Sequence, residues 1–371
     1  MGFQARHAML PEQTHDEFAR EGFAGSMRRF FTEELFPGNR ELYRNRLLPA
    51  FEKKHGRPPK DVREVKDVMH DTFFYRGGSL LGRATQELVW DLVGESIERQ
   101  IDVLKARMPK GKTLGSLTIQ PDFKVPKYIQ SVDIHAMPGN FHTELGPDDI
   151  LAGALYDRGV YVFAYGGLGE RNEALGEAFA SFAKDRFPNL KPRRILDMGC
   201  GVGFSTLPFK AAYPDAEVYG VDVGAPTVRY AHARAEARGM AIHFSQQDAA
   251  HTNFPDGYFD LVFSALLHHE VPRETLEGTV RESYRLLAPG GVMFHDGIAR
   301  KPETDPFQEF MSGWFTHNIN EPFTNASLDT DFAQVCIDAG CRPEDLFTDQ
   351  RETVYLKGQL PPIPFRGAIK R

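Results

Sequence analysis

The residues whose types and spacing best suit ligand binding form a glycine-rich segment at positions 197–203, which reads DMGCGVG. It follows an apolar stretch of strand character at 194–197 and precedes a predicted helix from about Ser205. A turn between a strand and a helix presents backbone N–H groups to a ligand, and glycines let that ligand approach the backbone closely. The sequence therefore predicts a ligand-binding turn at the carboxyl end of this strand.

The glycine spacing and the first residue of this turn indicate the kind of ligand. After Gly199 and Gly201, a dinucleotide fingerprint would place its third glycine at position 204, which is Phe204, whereas the third glycine here is Gly203. A carboxylate at Asp197 would repel a diphosphate but can pair with the ammonium group of an amino acid. The turn therefore favours a zwitterionic ligand and disfavours an NAD-dependent oxidoreductase.

Two further carboxylates follow the next two predicted strands. Asp222, followed by Val223, ends the second strand, where a carboxylate can accept hydrogen bonds from both hydroxyls of a ribose. Asp248, followed by Ala249, comes after the third strand, where it can reach an adenine amino group. A single Asp at a strand end is commonly a helix cap. Three such residues at consecutive strand ends, beside this turn, predict one nucleoside-binding site.

Together with the motifs at 259–262 (FDLV) and 286–291 (LLAPGG), these residues resemble class I S-adenosylmethionine (SAM)-dependent methyltransferases, in particular the ubiquinone and menaquinone C-methyltransferases. The resemblance covers about residues 160–357 and implies SAM as the cofactor. It implies that the glycine turn holds the methionine part, Asp222 the ribose and Asp248 the adenine. It does not specify the acceptor, and the first 150 residues show no such resemblance.

The candidate catalytic residues are His268, His269 and Glu270, which follow the fourth predicted strand. A histidine titrates near neutral pH, and an adjacent carboxylate orients it and raises its pKa. The segment also resembles plant-type small-molecule O-methyltransferases, in which a His-Asp pair follows the same strand and the His is the base. By that resemblance His269 is the base, Glu270 its partner and His268 the weaker candidate. Packing under the cofactor remains an alternative for either histidine.

Other aromatic and polar residues are expected near the same crevice. His295 and Asp296 follow the fifth predicted strand and are candidates for substrate contact, although either could be a cap. Tyr156, Tyr161 and Tyr165 precede the first strand of the sheet, and an aromatic ring there could cover the sulfonium. We choose Tyr165, with core packing as the alternative.

An aromatic insertion at about 301–327, expected to be a loop, must bury itself against the N-terminal helices, as a wall of the acceptor pocket, or both. It predicts an apolar or aromatic acceptor, with Trp314 as a contact. Upstream, the segment 133–144 holds Asp133, His135, His142 and Glu144. Their spacing matches no established ligand set, so we predict no metal, and a role in a substrate lid is favoured.

The elements that position these residues alternate regularly from about residue 190. Predicted strands at 194–197, 217–221, 241–245, 259–264 and 292–295 are separated by helices, which indicates βαβ units and a parallel sheet. The fold class is therefore α/β, a Rossmann-like class I methyltransferase sheet with helices on both faces and a mainly helical N-terminal domain. We predict residues 1–150 to cover the substrate or form a homodimer, and residues 151–371 to bind SAM.

Four finer elements are also predicted. Short strands are expected at 113–119, 128–134 and 353–356, and a short helix near residue 30 is expected to stop at Pro37-Gly38.

Composition limits the function classes. Of 371 residues, 41% are hydrophobic and 26% charged, as in a globular protein. The net charge of −7 argues against a nucleic-acid partner. No apolar run suits a membrane span or a leader. A cytoplasmic enzyme with a small-molecule substrate is therefore expected. O-methylation is the first hypothesis and C-methylation the second. A non-methylating SAM enzyme or a SAM-dependent regulatory protein is the alternative.

Overall fold

A computed structural model describes residues 2–296, 305–351 and 362–371. The strands in these ranges are β1 (Ser116–Thr118), β2 (Arg194–Met198), β3 (Glu217–Asp222), β4 (Ile242–Gln246), β5 (Phe259–Ser264), β6 (Leu287–Asp296), β7 (Leu346–Arg351) and β8 (Ile363–Ile369). The α-helices are α1 (His15–Phe30), α2 (Phe36–Leu42), α3 (Leu48–His55), α4 (Val62–Met69), α5 (Phe73–Glu98), α6 (Ile101–Ala106), α7 (Lys127–Gln130), α8 (Leu151–Phe163), α9 (Ala174–Arg186), α10 (Thr206–Ala212), α11 (Ala225–Ala237), α12 (Arg273–Leu286), α13 (Pro306–Asn318), α14 (Thr324–Leu328) and α15 (Phe332–Asp338).

The strands form one eight-stranded sheet in the order β1-β4-β3-β2-β5-β6-β8-β7. Strands β1 to β6 run parallel to one another, and β8 is antiparallel to both β6 and β7. The predicted α/β fold is thus confirmed. The chain returns from β4 to the other side of β2 to form β5, so the strand order switches at β2. Ligands bind at such a switch point, outside the carboxyl ends of the strands.

Two of the finer strand predictions have different outcomes. The expected strand within 113–119 is present as β1, whereas the expected strand over 128–134 is wrong. That segment forms α7 and a 3₁₀ turn at Ile134–Ala136, because Ile129 and Ile134 are buried in the core between helices instead of facing a neighbouring strand. The predicted strand at 353–356 lies outside the described residues.

The N-terminal helical path does not stop at Pro37-Gly38 as predicted. It runs from α1 through α3 with two π-helical turns, Phe31–Leu35 and Tyr43–Leu47, and ends at Gly56, where φ is 69°. Each π turn directly precedes a proline in the first turn of the next helix, Pro37 and Pro49. A widened turn accommodates a ring that lacks an N–H and would clash inside a regular helix.

Helix α8 joins the N-terminal helices to the sheet. A Cβ added at Gly159 would lie 2.1 Å from Trp90 Cζ3 of α5, and one at Gly153 would lie 2.3 Å from Tyr230 Cβ of α11. Glycine therefore allows close packing on both sides of α8. One apolar core includes Trp90, Tyr230 and Val202, so helices from both predicted domains share it.

The aromatic insertion is helical in its described part, which corrects the expectation of a loop. Helix α13 packs against the N-terminal helices: Phe307 stacks on Tyr43 with ring centres 4.5 Å apart, and Trp314 lies 4.8 Å from Phe31. For α13, the predicted packing against the N-terminal helices is therefore observed. Within the described ranges, each helix is too short or too polar to traverse a lipid bilayer.

Candidate functional site

A cavity lies outside the carboxyl ends of β2, β3, β4 and β5, with an empty volume of about 1080 Å³ that is partly open to solvent. The predicted cofactor residues on its wall are Gly199, Gly201, Asp222, Val223, Asp248 and Ala249. They come from the ends of three strands, and the switch in strand order brings them to one edge. This is the location that the strand-end carboxylates predicted.

The glycine turn is held by backbone contacts to β3. The N–H groups of Gly199 and Cys200 donate to the carbonyl of Val221 at 2.8 and 2.9 Å, and that of Gly201 donates to Asp222 Oδ2 at 3.0 Å. At Gly201 φ is 51°, and the atom nearest to an added Cβ would be Tyr156 Cε1 at 3.9 Å. A side chain there would therefore project into the cavity.

Gly203 has a different role from the ligand contact that the sequence predicted. Its φ is 83°, and an added Cβ would lie 2.6 Å from Leu207 Cδ1. The residue is not among those on the cavity wall. Glycine is needed here because the backbone is left-handed and α10 packs closely against the turn.

Asp197 also lies beneath the turn and not on the cavity wall. It is fully buried, and its Oδ2 accepts hydrogen bonds from Ser205 Oγ at 2.6 Å and Thr206 Oγ1 at 2.7 Å. Burial raises its pKa to about 7, although the two hydroxyl hydrogen bonds oppose the rise. The expected contact with an ammonium group is therefore corrected: Asp197 ties the end of β2 to the start of α10.

Asp222 and Asp248 do face the cavity. The Oδ1 of Asp222 accepts a hydrogen bond from the N–H of Gly224 at 2.9 Å, and burial raises the pKa of this carboxyl to about 6. The Oδ1 of Asp248 accepts from the N–H of Ala250 at 2.8 Å. Backbone donors thus orient both carboxylates, and each oxygen retains a lone pair for a ligand. The turn and the two carboxylates fit the methionine, ribose and adenine parts of SAM.

The aromatic ring on the cavity wall is Tyr156, not Tyr165. Tyr156 lies in α8, stacks on Phe204 with ring centres 5.7 Å apart and lines the cavity opposite Gly201. Tyr165 comes after α8 ends and packs against α1, with its hydroxyl 3.4 Å from Ser26 Oγ. Our choice of Tyr165 is therefore wrong, because the end of the helix directs it away from the sheet.

The segment after β5 approaches the glycine turn at the cavity. An added Cβ at Gly199 would lie 2.7 Å from Leu267 Cδ1, so this leucine packs directly on the turn. Glu270 lines the cavity. His269 lies beside it, with its Nε2 3.9 Å from Glu270 Oε1. The structure therefore brings the predicted pair together, with the carboxylate facing the cavity.

His268 and His295 do not reach the cavity, which corrects their predicted roles. Their rings are buried and lie 4.8 Å apart, and His295 Nδ1 lies 2.8 Å from Ser264 Oγ. Burial lowers the pKa of His295 to about 3 and that of His268 well below its usual value. Both imidazoles are neutral core groups because the sheet and α15 cover them: Phe332 lies 5.8 Å from the ring of His268.

Asp296 and Trp314 have structural contacts instead of the predicted acceptor contacts. The Oδ1 of Asp296 accepts a hydrogen bond at 2.9 Å from the N–H of Leu266, whose φ is 60°. This contact fixes the turn that leads to Glu270. Trp314 is buried among the N-terminal helices, where its Nε1 donates to Ser79 Oγ at 2.9 Å. Neither residue is on the cavity wall.

Sequence reasoning missed the partners of Glu270. His135 Nε2 lies 3.0 Å from Glu270 Oε1, and its Nδ1 lies 3.1 Å from Glu321 Oε1. Burial lowers the pKa of His135, but the hydrogen bonds to both glutamates outweigh it and raise the pKa to about 10. His135 stood out in the polar segment 133–144, but its partners are more than a hundred residues away, so no local motif connects them.

Residues 195–291 match the family model of a methyltransferase domain. The chain is 42% identical over 100 residues to demethylmenaquinone methyltransferase of Thermus thermophilus, covering 27% of this chain and 44% of that protein. It is 36% identical over 124 residues to ajmaline N-methyltransferase of Rauvolfia serpentina, covering 33% and 40%. The solved structure of phosphoethanolamine N-methyltransferase 2 of Haemonchus contortus with SAM is similar to this chain with a TM-score of 0.42 and 17% sequence identity. The similarity covers 58% of this chain and 57% of that chain.

The chain contains a class I SAM-dependent methyltransferase domain. The match spans less than half the length of the two curated relatives, so it does not identify what the whole chain acts on. The names of those relatives, demethylmenaquinone methyltransferase and ajmaline N-methyltransferase, differ in the acceptor, which leaves the acceptor of this chain open.

Proposed function

We propose that this chain transfers the methyl group of SAM to a hydroxyl on a small, apolar or aromatic acceptor. The supporting observation is that one cavity is lined both by the glycine turn and by Glu270, with Leu267 packed on Gly199 between them. The methionine end of the cofactor, which carries the methyl group, is therefore next to a carboxylate. Apolar side chains, among them Ile129, suit an apolar acceptor body.

Methyl transfer from a sulfonium is an in-line displacement, so the protein contributes mainly position and orientation. Glu270 accepts a hydrogen bond from the acceptor hydroxyl, which turns an oxygen lone pair toward the methyl group. As the oxygen–methyl bond forms, the sulfur–methyl bond breaks to leave S-adenosylhomocysteine, and Glu270 takes up the hydroxyl proton. Tyr156 covers the cofactor from the side opposite Gly201, where the face of its ring attracts the sulfonium charge. Tyr156 lies on α8 and Glu270 on the turn after β5, so the cofactor and the acceptor contact different walls of the cavity.

C-methylation of a quinone-like ring is the second candidate. It is favoured by the similarity to demethylmenaquinone methyltransferase, which is 42% identical over 100 residues. The match to the methyltransferase-domain model, at 195–291, covers the cofactor-binding part of the chain, whereas the side of the cavity formed by Tyr128 and Phe141 precedes it. The carboxylate of Glu270 on the cavity wall can accept a hydrogen bond from a hydroxyl, so it favours a hydroxyl acceptor over a ring carbon.

The test is transfer of radiolabel from methyl-labelled SAM to a panel of phenols, catechols and quinols. We expect label on a hydroxyl oxygen, and we expect Glu270→Gln to lower turnover by at least about a hundredfold. Its affinity for S-adenosylhomocysteine (SAH) should stay within about threefold of wild type. Glu274→Gln, at an exposed position four residues on, is the matched control. Label that stays on SAM with every acceptor, while SAH binds, would support the non-methylating alternative.

A further inference from the structure

We propose that His135, His269 and Glu270 form a binding site for a divalent transition-metal ion such as Zn²⁺ at the wall of the cavity. One potential ligand atom from each of the three side chains lies within 4.8 Å of the other two. The three side chains are partly accessible, with 14% to 19% of their surface exposed, so an ion can enter. Two histidines and one carboxylate are the ligand set of several catalytic zinc and non-haem iron sites.

The distances are close to those that an ion requires. Zinc binds nitrogen and oxygen ligands at roughly 2.0–2.2 Å, which places the ligand atoms of a tetrahedral site about 3.4 Å apart. Here Glu270 Oε1 lies 3.0 Å from His135 Nε2 and 3.9 Å from His269 Nε2. The two observed distances lie on either side of this value, and three protein ligands leave a fourth position open.

Glu321 occupies the position of an outer-shell partner. Its Oε1 lies 3.1 Å from His135 Nδ1, the ring nitrogen opposite Nε2. A metal-bound histidine usually donates its other N–H to a carboxylate or carbonyl, which fixes the tautomer and the ring orientation. The contact with Glu321 therefore directs Nε2 of His135 toward Glu270 and His269, and an ion that binds there replaces the proton between His135 and Glu270.

The backbone is constrained around this cluster. His135 has a φ of 57°, a left-handed conformation that is unfavourable for a side-chain-bearing residue. Its carbonyl accepts hydrogen bonds at 2.8 Å from both Gln86 Nε2 and Trp90 Nε1 of α5. Asn320, with a φ of 56°, donates its amide to the carbonyl of Asp133. Such strain persists only where surrounding contacts determine the conformation, and it concentrates at functional sites.

These contacts bring together side chains from three separate segments, near residues 135, 269 and 321. An ion pair that only joins these segments would need His135 and the two glutamates but not His269. The convergence of His269 on the same carboxylate oxygen therefore favours a metal site over a structural ion pair. On the basis of the proposed function, the open position of the ion would bind the acceptor oxygen and promote loss of its proton.

The test uses the full chain after treatment with a chelator, titrated with Co²⁺ and followed by visible absorption, with Zn²⁺ as competitor. We expect one ion per chain. His135→Ala, His269→Ala and Glu270→Gln should each weaken Zn²⁺ binding by at least about 100-fold, and Glu321→Gln by about 10- to 100-fold. His317→Ala, at an exposed position on α13, should bind as wild type does. SAH affinity in each variant reports whether the fold is intact.

Absence of a one-to-one Co²⁺ signal would overturn the proposal, as would wild-type Zn²⁺ affinity in both His269→Ala and Glu270→Gln. Either result would make the cluster an ion pair. The metal measurement needs neither SAM nor an acceptor. A chain that binds Zn²⁺ but transfers no methyl group would therefore contradict the proposed function only, and a metal-free methyltransferase would contradict the metal site only.

Discussion

Replacement of Gly201 by alanine separates the backbone role of this glycine from its role at the cavity. An alanine Cβ has room in the unliganded chain, since its nearest neighbour would be Tyr156 Cε1 at 3.9 Å. It would nevertheless project into the space where the cofactor must approach the backbone. We therefore expect Gly201→Ala to fold with a modest loss of stability but to bind SAH poorly.

The magnitudes follow from two separate effects. A left-handed backbone, with φ of 51° at Gly201, costs an alanine roughly 1–2 kcal/mol. A methyl group forced into a filled contact costs about 1–3 kcal/mol more, which corresponds to roughly 5- to 150-fold weaker SAH binding. Gly239→Ala is the matched control, because its φ is 68° and nothing lies within 4 Å of an added Cβ.

Urea unfolding and SAH calorimetry on both variants measure these two effects. Both variants should lose similar stability, and only Gly201→Ala should lose SAH affinity. Equal SAH affinity in Gly201→Ala and Gly239→Ala would show that the cofactor does not press against residue 201, and the assigned position of its methionine part would then be wrong.

Two further predictions concern buried charges. Burial raises the pKa of Asp197 from 3.8 to about 7, so this group stabilises the fold fully below pH 3.8, and that contribution is lost as the pH rises through 7. Relative to Asp197→Asn, the wild-type free energy of unfolding should fall between pH 5 and about 7.5 in urea titrations; parallel pH profiles would contradict this. Arg158→Met should cost roughly 3–5 kcal/mol, because it leaves the carboxylate of Glu21, which is 0% exposed, without its guanidinium partner. Breaking the exposed Arg20–Glu95 pair with Arg20→Met should cost under about 1 kcal/mol, and equal losses would refute the distinction.

Local sequence was sufficient to predict that the glycine turn and the strand-end carboxylates lie at one edge of the sheet. Glycine at positions 199 and 201 is required by the backbone, and carboxylates at Asp222 and Asp248 follow directly after their strands. In a parallel sheet the carboxyl ends of neighbouring strands share one edge, so residues at those ends lie together whatever the helices between them do. The α/β fold could be predicted for the same reason, since strand and helix periods are local properties.

The direction in which a side chain points near the end of an element was not predictable. His268 and His269 are neighbours, but the turn at Leu266 buries the first against His295 and leaves the second beside Glu270. Likewise, Tyr156 and Tyr165 both precede β2, and only the first lies on the face of α8 that meets the cavity. If a helix end or turn shifts by one residue, a side chain that was buried becomes accessible and its neighbour becomes buried. Sequence patterns locate the ends of helices and strands only approximately.

By itself the sequence determined the strands and helices of the α/β fold, the glycine turn and the carboxylates at the strand ends, because each follows from a pattern within one short segment. Only the tertiary structure decided which of the other polar and aromatic residues face the cavity. His135, Glu270 and Glu321 meet because α5 holds the carbonyl of His135 and the loop after α13 folds back onto Asp133. Such contacts depend on packing between distant segments, and no spacing within one segment encodes them.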